Sequence, residues 1–265
     1  MRRPKKSGAL SLWMNNQRVG TWAVTAQGEH VFHYDNAWLA SPLGRPISLS
    51  MPLRPATAPY KGEAVRNYFE NLLPDNDNIR QRLAKRFSTG TEAFRLLAEI
   101  GRDCVGALQV MPEAENPPSN EAIQFELLST EQVAEHLAGT LTTPAFTQTD
   151  DTFRISIAGA QEKTALLWYK ENWCRPLGAS PTTHIFKLPM GQMPGGIDLS
   201  TSVENEWLCH TLLQAFEIPV AKAEIVQFGE MKALCVERFD RRWTANGRLV
   251  RLPQEDFAQV FGVSP

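Results

Sequence analysis

An apolar–polar alternation runs through ALSLWMNNQRVGTWAVTAQGEHVFHYD, from Ala9 to Asp35, and restricts the opening of this chain to antiparallel strands. A period of two places every second side chain on one face of a sheet, a pattern that no helix can bury. Breaks at Asn15-Asn16 and Gln27-Gly28 mark turns, because asparagine and glycine tolerate the left-handed conformations of tight hairpins. PISLSMPL, Pro46 to Leu53, reads as another short strand. The period then lengthens. Val65, Tyr68, Phe69, Leu72 and Leu73 share one helical face, and Pro74 ends that helix. Asp75 or Asp77 is placed to cap a second helix through Ile79, Leu83 and Phe87. A third runs through Phe94, Leu96, Leu97 and Ile100 and stops at Gly101. CVGALQVMP returns to strand.

The polar, proline-rich PEAENPPSNEA, residues 112–122, reads as a linker, so the expected division is a domain at 1–111 and a second region at 123–265. That second region opens with a short helix, STEQVAEHLAG. A strand–loop–strand hairpin, FRISIAGAQEKTALLWY, and a short buried strand, THIFKLP, come next. SVENEWLCHTLLQAFEI is helical, with Val203, Trp207, Leu208, Leu212 and Phe216 on one face. AKAEIVQFGEMKALCVERFD reads as two strands with a turn at Gly229. The 265 residues are 43% hydrophobic and 21% charged, an ordinary globular composition with a core of useful size. A net charge of -2 excludes a global basic field for nucleic acid. No segment reads as a secretory signal or membrane span, and four dispersed cysteines without a CxxC indicate reduced thiols, so a cytoplasmic protein is expected. The five histidines make no zinc-site spacing, and no metal ligands are assigned.

The loop Gly159–Lys163 puts a glycine and a lysine between two apolar runs. It is not a Walker A loop, since Glu162 precedes Lys163 and a strand follows; nor is it a glycine-rich kinase loop, having one glycine. A plain surface hairpin with a solvated lysine satisfies the spacing alone. The downstream order adds information. Lys187 lies on an apolar strand, Glu204 and Glu206 lie on the next helix, and ALCVERFD is a last strand. Loop, lysine strand, glutamate helix and hinge strand is the order of a kinase amino-terminal lobe. From helix placement, Glu206 is the expected partner of Lys187.

ISIAGAQEKTALL, PTTHIFKLP, VENEWLC, VERFDRRW and RLPQEDFAQVFG resemble the HipA toxin kinases of bacterial toxin–antitoxin modules, as do LWMNNQRVG, NYFENLLPD and LLAEIGRDCVGAL. The resemblance covers nearly the whole chain. It implies an α+β fold: an amino-terminal β-then-α domain, followed by the mostly antiparallel sheet lobe of a distant protein-kinase-like fold. It implies a serine/threonine kinase using ATP and magnesium, neutralised by a helix-turn-helix HipB-like antitoxin, with operator DNA engaged only through that antitoxin. Glutamyl-tRNA synthetase is the implied substrate. Ala158, Gly159, Ala160, Gln161, Glu162 and Lys163 would form the phosphate loop, Lys187 would pair with ATP phosphates, and Glu237, Arg238 and Phe239 would line the adenine pocket. Ser156 would be the regulatory autophosphorylated serine.

The family's catalytic motifs, resembling Asp-Gly-His-x-Lys-Asn and Tyr-Asp, do not occur in these 265 residues. The expectation is therefore an amino-terminal fragment without the helical carboxy-terminal lobe, with no catalytic aspartate. On this reading the chain is catalytically incompetent alone. It is otherwise a non-catalytic nucleotide- or antitoxin-binding module, or one subunit of a split kinase.

Overall fold

Two asparagines with positive φ, Asn15 (44°) and Asn16 (67°), turn the chain between β1 (Ala9–Met14) and β2 (Gln17–Val24). The computed structural model describes residues 8–115, 123–141, 156–159, 161–192 and 195–265. Strand β3 (His30–Tyr34), helix α1 (Asn36–Ala40) and the short β4 (Tyr60–Lys61) follow, then helices α2 (Glu63–Glu70), α3 (Asp77–Arg86) and α4 (Ala93–Ile100), and β5 (Leu108–Pro112). The five strands form an antiparallel sheet in the order β4-β3-β2-β1-β5. PISLSMPL departs from expectation. It makes only an isolated Ser48–Met51 bridge, because Pro46 and Pro52 offer no amide donor and the Ile47 N–H is taken by the Tyr34 hydroxyl.

The helices arise as their apolar spacing dictates. Asn76 caps α3, one residue from either expected aspartate, its side chain accepting from the Asn78 N–H at 2.9 Å. Gly101 ends α4 by donating to the Leu97 carbonyl. Val65 and Phe69 of α2, with Leu96, Leu97 and Ile100 of α4, bury against Leu10, Leu12, Trp22 and Phe32 of the sheet. The Trp22 and Phe69 rings stack with centroids 3.7 Å apart.

The chain then forms β6 (Phe125–Leu127), α5 (Thr130–Leu141), β7 (Lys163–Tyr169), β8 (Asn172–Pro176) and β9 (His184–Lys187). A small pair β10 (Gly191–Gln192) and β11 (Asp198–Leu199), helix α6 (Ser202–Ala215), and strands β12 (Ala223–Phe228) and β13 (Met231–Glu237) follow. These make a second antiparallel sheet, β12-β13-β9-β7-β8-β6. Val133 and Leu137 of α5 cover one face, packing on Leu166, Phe186 and Cys235. Burial pushes the Cys235 thiol up to about 12.

A single cut does not divide the chain. Residues 154–159 and 242–265 are grouped with the first compact unit, and 123–153 with 160–241 form the second. The tail continues as β14 (Arg241–Trp243), β15 (Leu249–Arg251) and α7 (Phe257–Phe261), and its residues 251–263 are tied back by polar side chains of the first unit. Asn15 Nδ2 donates to the Arg251 carbonyl at 2.9 Å, and Asn67 and Asn71 donate to the carbonyls of Gly262 and Val263. Gln259 closes a capping box with Asp256 and donates to the Tyr68 carbonyl at 3.1 Å. No sequence periodicity announces such bonds.

Two half-buried histidines make stability pH-dependent. Burial, then Arg66, lowers the His30 pKa, and its Nδ1 accepts from Trp22 Nε1 at 3.2 Å, an arrangement that requires the neutral ring. Burial also lowers that of His184 in the second unit. The unfolded chain therefore takes up protons first as pH falls below 6.5, so stability is full above that value and declines below it. Urea unfolding at pH 7.5 and 5.5 should show this loss, and His30→Gln should reduce it. An equal loss in that variant would contradict the assignment to His30.

Candidate functional site

Lys163 and Lys187 are direct register partners on the antiparallel strands β7 and β9, so both project from the same face of the second sheet. Like charges placed opposite each other are unfavourable, and the arrangement calls for anionic partners. Helix α6 supplies one. Glu206 forms an ion pair with Lys187, both side chains about three-quarters covered at 27% exposed. Glu204, two residues earlier, pairs with Lys232 of β13. Lys232, Leu234 and Lys187 share this face, because Leu234 is the register partner of Lys187. Two ion pairs thus hold α6 on the side of the sheet opposite α5. Bonding to Lys232 keeps the Glu204 carboxyl below its usual range.

The approach to Lys163 is pinned to the end of β9. Gln161 Nε2 donates to the Leu188 carbonyl at 2.7 Å, and the Leu188 N–H donates to the Glu162 carbonyl at 3.2 Å. The strand after the loop pairs with β9 and with β8, the latter through a turn at Lys170 (φ 49°) and Glu171 (φ 61°). The expected first limb of the hairpin is a correction. Residues 156–159 form no strand, and Phe153–Ile155 lie outside the described residues, as does Ala160.

Ser156, Ala158 and Gly159 belong to the first unit. Ser156 is fully buried: its Oγ donates to the Leu72 carbonyl at 2.5 Å and its N–H to the Asp103 carbonyl at 3.1 Å. Gly159 has φ of 106°, a conformation that favours glycine, and its carbonyl accepts from the Asp75 N–H at 3.4 Å. These bonds, all within the first unit, hold the 156–159 segment in a non-strand conformation.

The residues after β13 divide by environment. Arg238 turns inward. Its guanidinium makes bonds of 2.9 and 2.6 Å to the two Asp240 carboxylate oxygens and one of 2.9 Å to Thr182 Oγ1, and Arg241 shares the same carboxylate. Glu237 and Phe239 remain exposed, Phe239 at 67%. The N–H groups of Glu237 and Arg238 donate to the carbonyls of Lys222 and Thr183. The apolar face expected on α6 is present but uncovered. Val203 is buried, whereas Trp207, Leu208, Leu212 and Phe216 are exposed, Phe216 at 74%. Sequence reasoning missed Lys232 and its pairing with Glu204; two glutamates on one helix, with a lysine on each of two apolar strands, were the available signal. Among the described residues no group of three or more His, Cys, Asp or Glu could hold a metal ion, and no helix is long and apolar enough to cross a membrane.

The HipA N-terminal domain matches residues 10–111 and the HipA-like C-terminal domain matches residues 155–265. The Sinorhizobium fredii protein Y4mE is 32% identical over 97% of this chain and 60% of its own length. The serine/threonine-protein kinase toxin HipA of Shewanella oneidensis is 27% identical over 98% of this chain and 56% of its own length. A solved complex of Shewanella oneidensis HipA with HipB and its operator DNA superposes with a TM-score of 0.73, at 27% identity, covering 96% of this chain and 56% of that one. The chain thus spans little more than half the length of these relatives.

Proposed function

This chain belongs to the HipA family, carrying a HipA N-terminal domain and a HipA-like C-terminal domain, and from that premise we propose that its second unit is the nucleotide-facing part of a serine/threonine protein kinase. The Lys187–Glu206 ion pair beside Lys163 carries this reading. Two ammonium groups on one sheet face suit a triphosphate, and Glu206 fixes the direction of one of them. The residues present fit ATP in that respect, and bound magnesium would neutralise charge on its β- and γ-phosphates. Lys163 and Lys187 would bind and orient the phosphates, with Gln161 and Glu162 holding the loop exit in place. Glu237 and Phe239 would border the adenine side, and Arg238 would support them from within.

In kinase transfer a serine or threonine oxygen bonds the γ-phosphorus as the bond to the β-phosphate oxygen breaks, and the hydroxyl proton passes to a carboxylate. No Asp-Gly-His-x-Lys-Asn segment stands in these residues, so we assign to them binding and charge neutralisation, not proton transfer. The proposed substrate is glutamyl-tRNA synthetase in the cytoplasm, and Ser156 is the proposed site of regulatory self-phosphorylation. A second reading is a non-catalytic module for a HipB-like helix-turn-helix antitoxin, with operator DNA reached only through it, or one subunit of a split kinase. The match across 96% of the chain to a HipA solved with HipB favours that partner.

Radiolabelled ATP with magnesium, the purified 265 residues and glutamyl-tRNA synthetase test the assignment. The expected outcome is no label on the synthetase or on Ser156. Label that disappears in Lys187→Ala would show a complete kinase and overturn the binding-only role.

A further inference from the structure

Asp103 joins three distant stretches of the first unit. Its main-chain carbonyl accepts the Ser156 N–H at 3.1 Å. Its carboxylate accepts from Arg251 Nε at 3.1 Å, the two side chains being 2% and 7% exposed. Arg251 is fixed through its main chain as well: its N–H donates to Asn15 Oδ1 and its carbonyl accepts from Asn15 Nδ2, both at 2.9 Å. A buried ion pair adds little net stability, since desolvation offsets the attraction, but it does select one geometry. Here the same residue carries the ion pair on its carboxylate and, on its main chain, the carbonyl on which Ser156 sits.

We infer that Asp103 and Arg251 are positioning residues for Ser156. They form a latch, closed from β15, that holds the Ser156–Gly159 segment in its seat and keeps the serine hydroxyl buried. An event that lifts residues 249–251 would withdraw Arg251 from the buried Asp103 carboxylate and loosen the carbonyl on which Ser156 sits. Control of Ser156 would then come from the carboxy-terminal return of the first unit. This rests on the reading of Ser156 as a phosphate acceptor.

Amide hydrogen exchange on the 265-residue chain tests the latch without requiring activity. In Arg251→Gln, exchange at Ser156 and Ile157 should rise roughly tenfold or more, while Leu10 and Trp22 in the sheet keep their wild-type protection. The double variant Asp103→Asn/Arg251→Gln, whose neutral amides can bond again, should recover part of the protection. Unchanged exchange at Ser156 would overturn the latch. So would an equal rise at Leu10 and Trp22, which would mean that the whole unit had loosened. Adding Shewanella oneidensis HipA with magnesium and ATP separates the acceptor reading. Faster phosphate incorporation at Ser156 in Arg251→Gln supports both. No phosphate on Ser156 in any variant defeats the acceptor reading, while the exchange result still decides the latch.

Discussion

An Asp240→Ala chain is expected to lose about 3–5 kcal/mol of stability in its second unit, the cost of removing one partner from a buried ion pair. Asp240 is shared by two arginines. Arg238 grips both carboxylate oxygens, and Arg241 approaches one at 2.9 Å, with the three side chains between 1% and 5% exposed. Without the carboxylate, two buried guanidinium groups lose a shared acceptor and countercharge. A loss of that size is a large share of the roughly 5–15 kcal/mol that holds a typical domain together. Urea titration followed by tryptophan fluorescence measures it. Glu237→Ala is the control, since the Glu237–Lys222 pair is half to largely exposed and such pairs contribute about 0–1 kcal/mol. If the two variants unfold at the same urea concentration, the Arg238 network is not what organises the end of β13.

Lys187→Ala should weaken ATP binding by roughly 10- to 150-fold, the equivalent of the 1.5–3 kcal/mol typical of a hydrogen bond to a charged group. The fold should survive, because Lys187 is a quarter exposed and its neighbours Phe186 and Leu188 carry the burial of β9. Glu206→Gln should weaken binding less. It keeps a hydrogen-bonding side chain but no longer offsets the repulsion between Lys163 and Lys187. Lys187→Arg should not restore wild-type affinity, since a planar guanidinium cannot occupy the space of a compact ammonium. Anisotropy of a fluorescent ATP analogue gives the ratios, with circular dichroism confirming the fold. Equal affinities in wild type and Lys187→Ala would remove Lys187 from the site.

The period-two stretch from Ala9 to Tyr34 was legible because its alternation matched the pleat and its turn was Asn-Asn. The β7–β8 turn was not, because Lys170-Glu171 has none of the residues that normally adopt positive φ. The order of Lys187, Glu206 and the last strand could be read along the chain, since each stands on a separate strongly patterned element. The burial of Arg238 could not, for its partners Thr182 and Asp240 flank different strands. The bonds that hold the tail were not legible for a related reason. Asn15, Asn67, Asn71 and Gln259 look like surface residues in sequence, and only three-dimensional proximity shows that they hold residues 251–263 to the first unit. On α6 the apolar spacing correctly gave a helix, but spacing says nothing of whether a face is covered.

Hydrogen exchange of the purified chain with and without magnesium-ATP tests most directly whether the second sheet faces nucleotide. Protection should appear at Gln161–Lys163 and along β9 up to Leu188, and should vanish in Lys187→Ala. No change at these amides with saturating nucleotide, or protection confined to the α5 side of the sheet, would contradict a nucleotide site at Lys163 and Lys187.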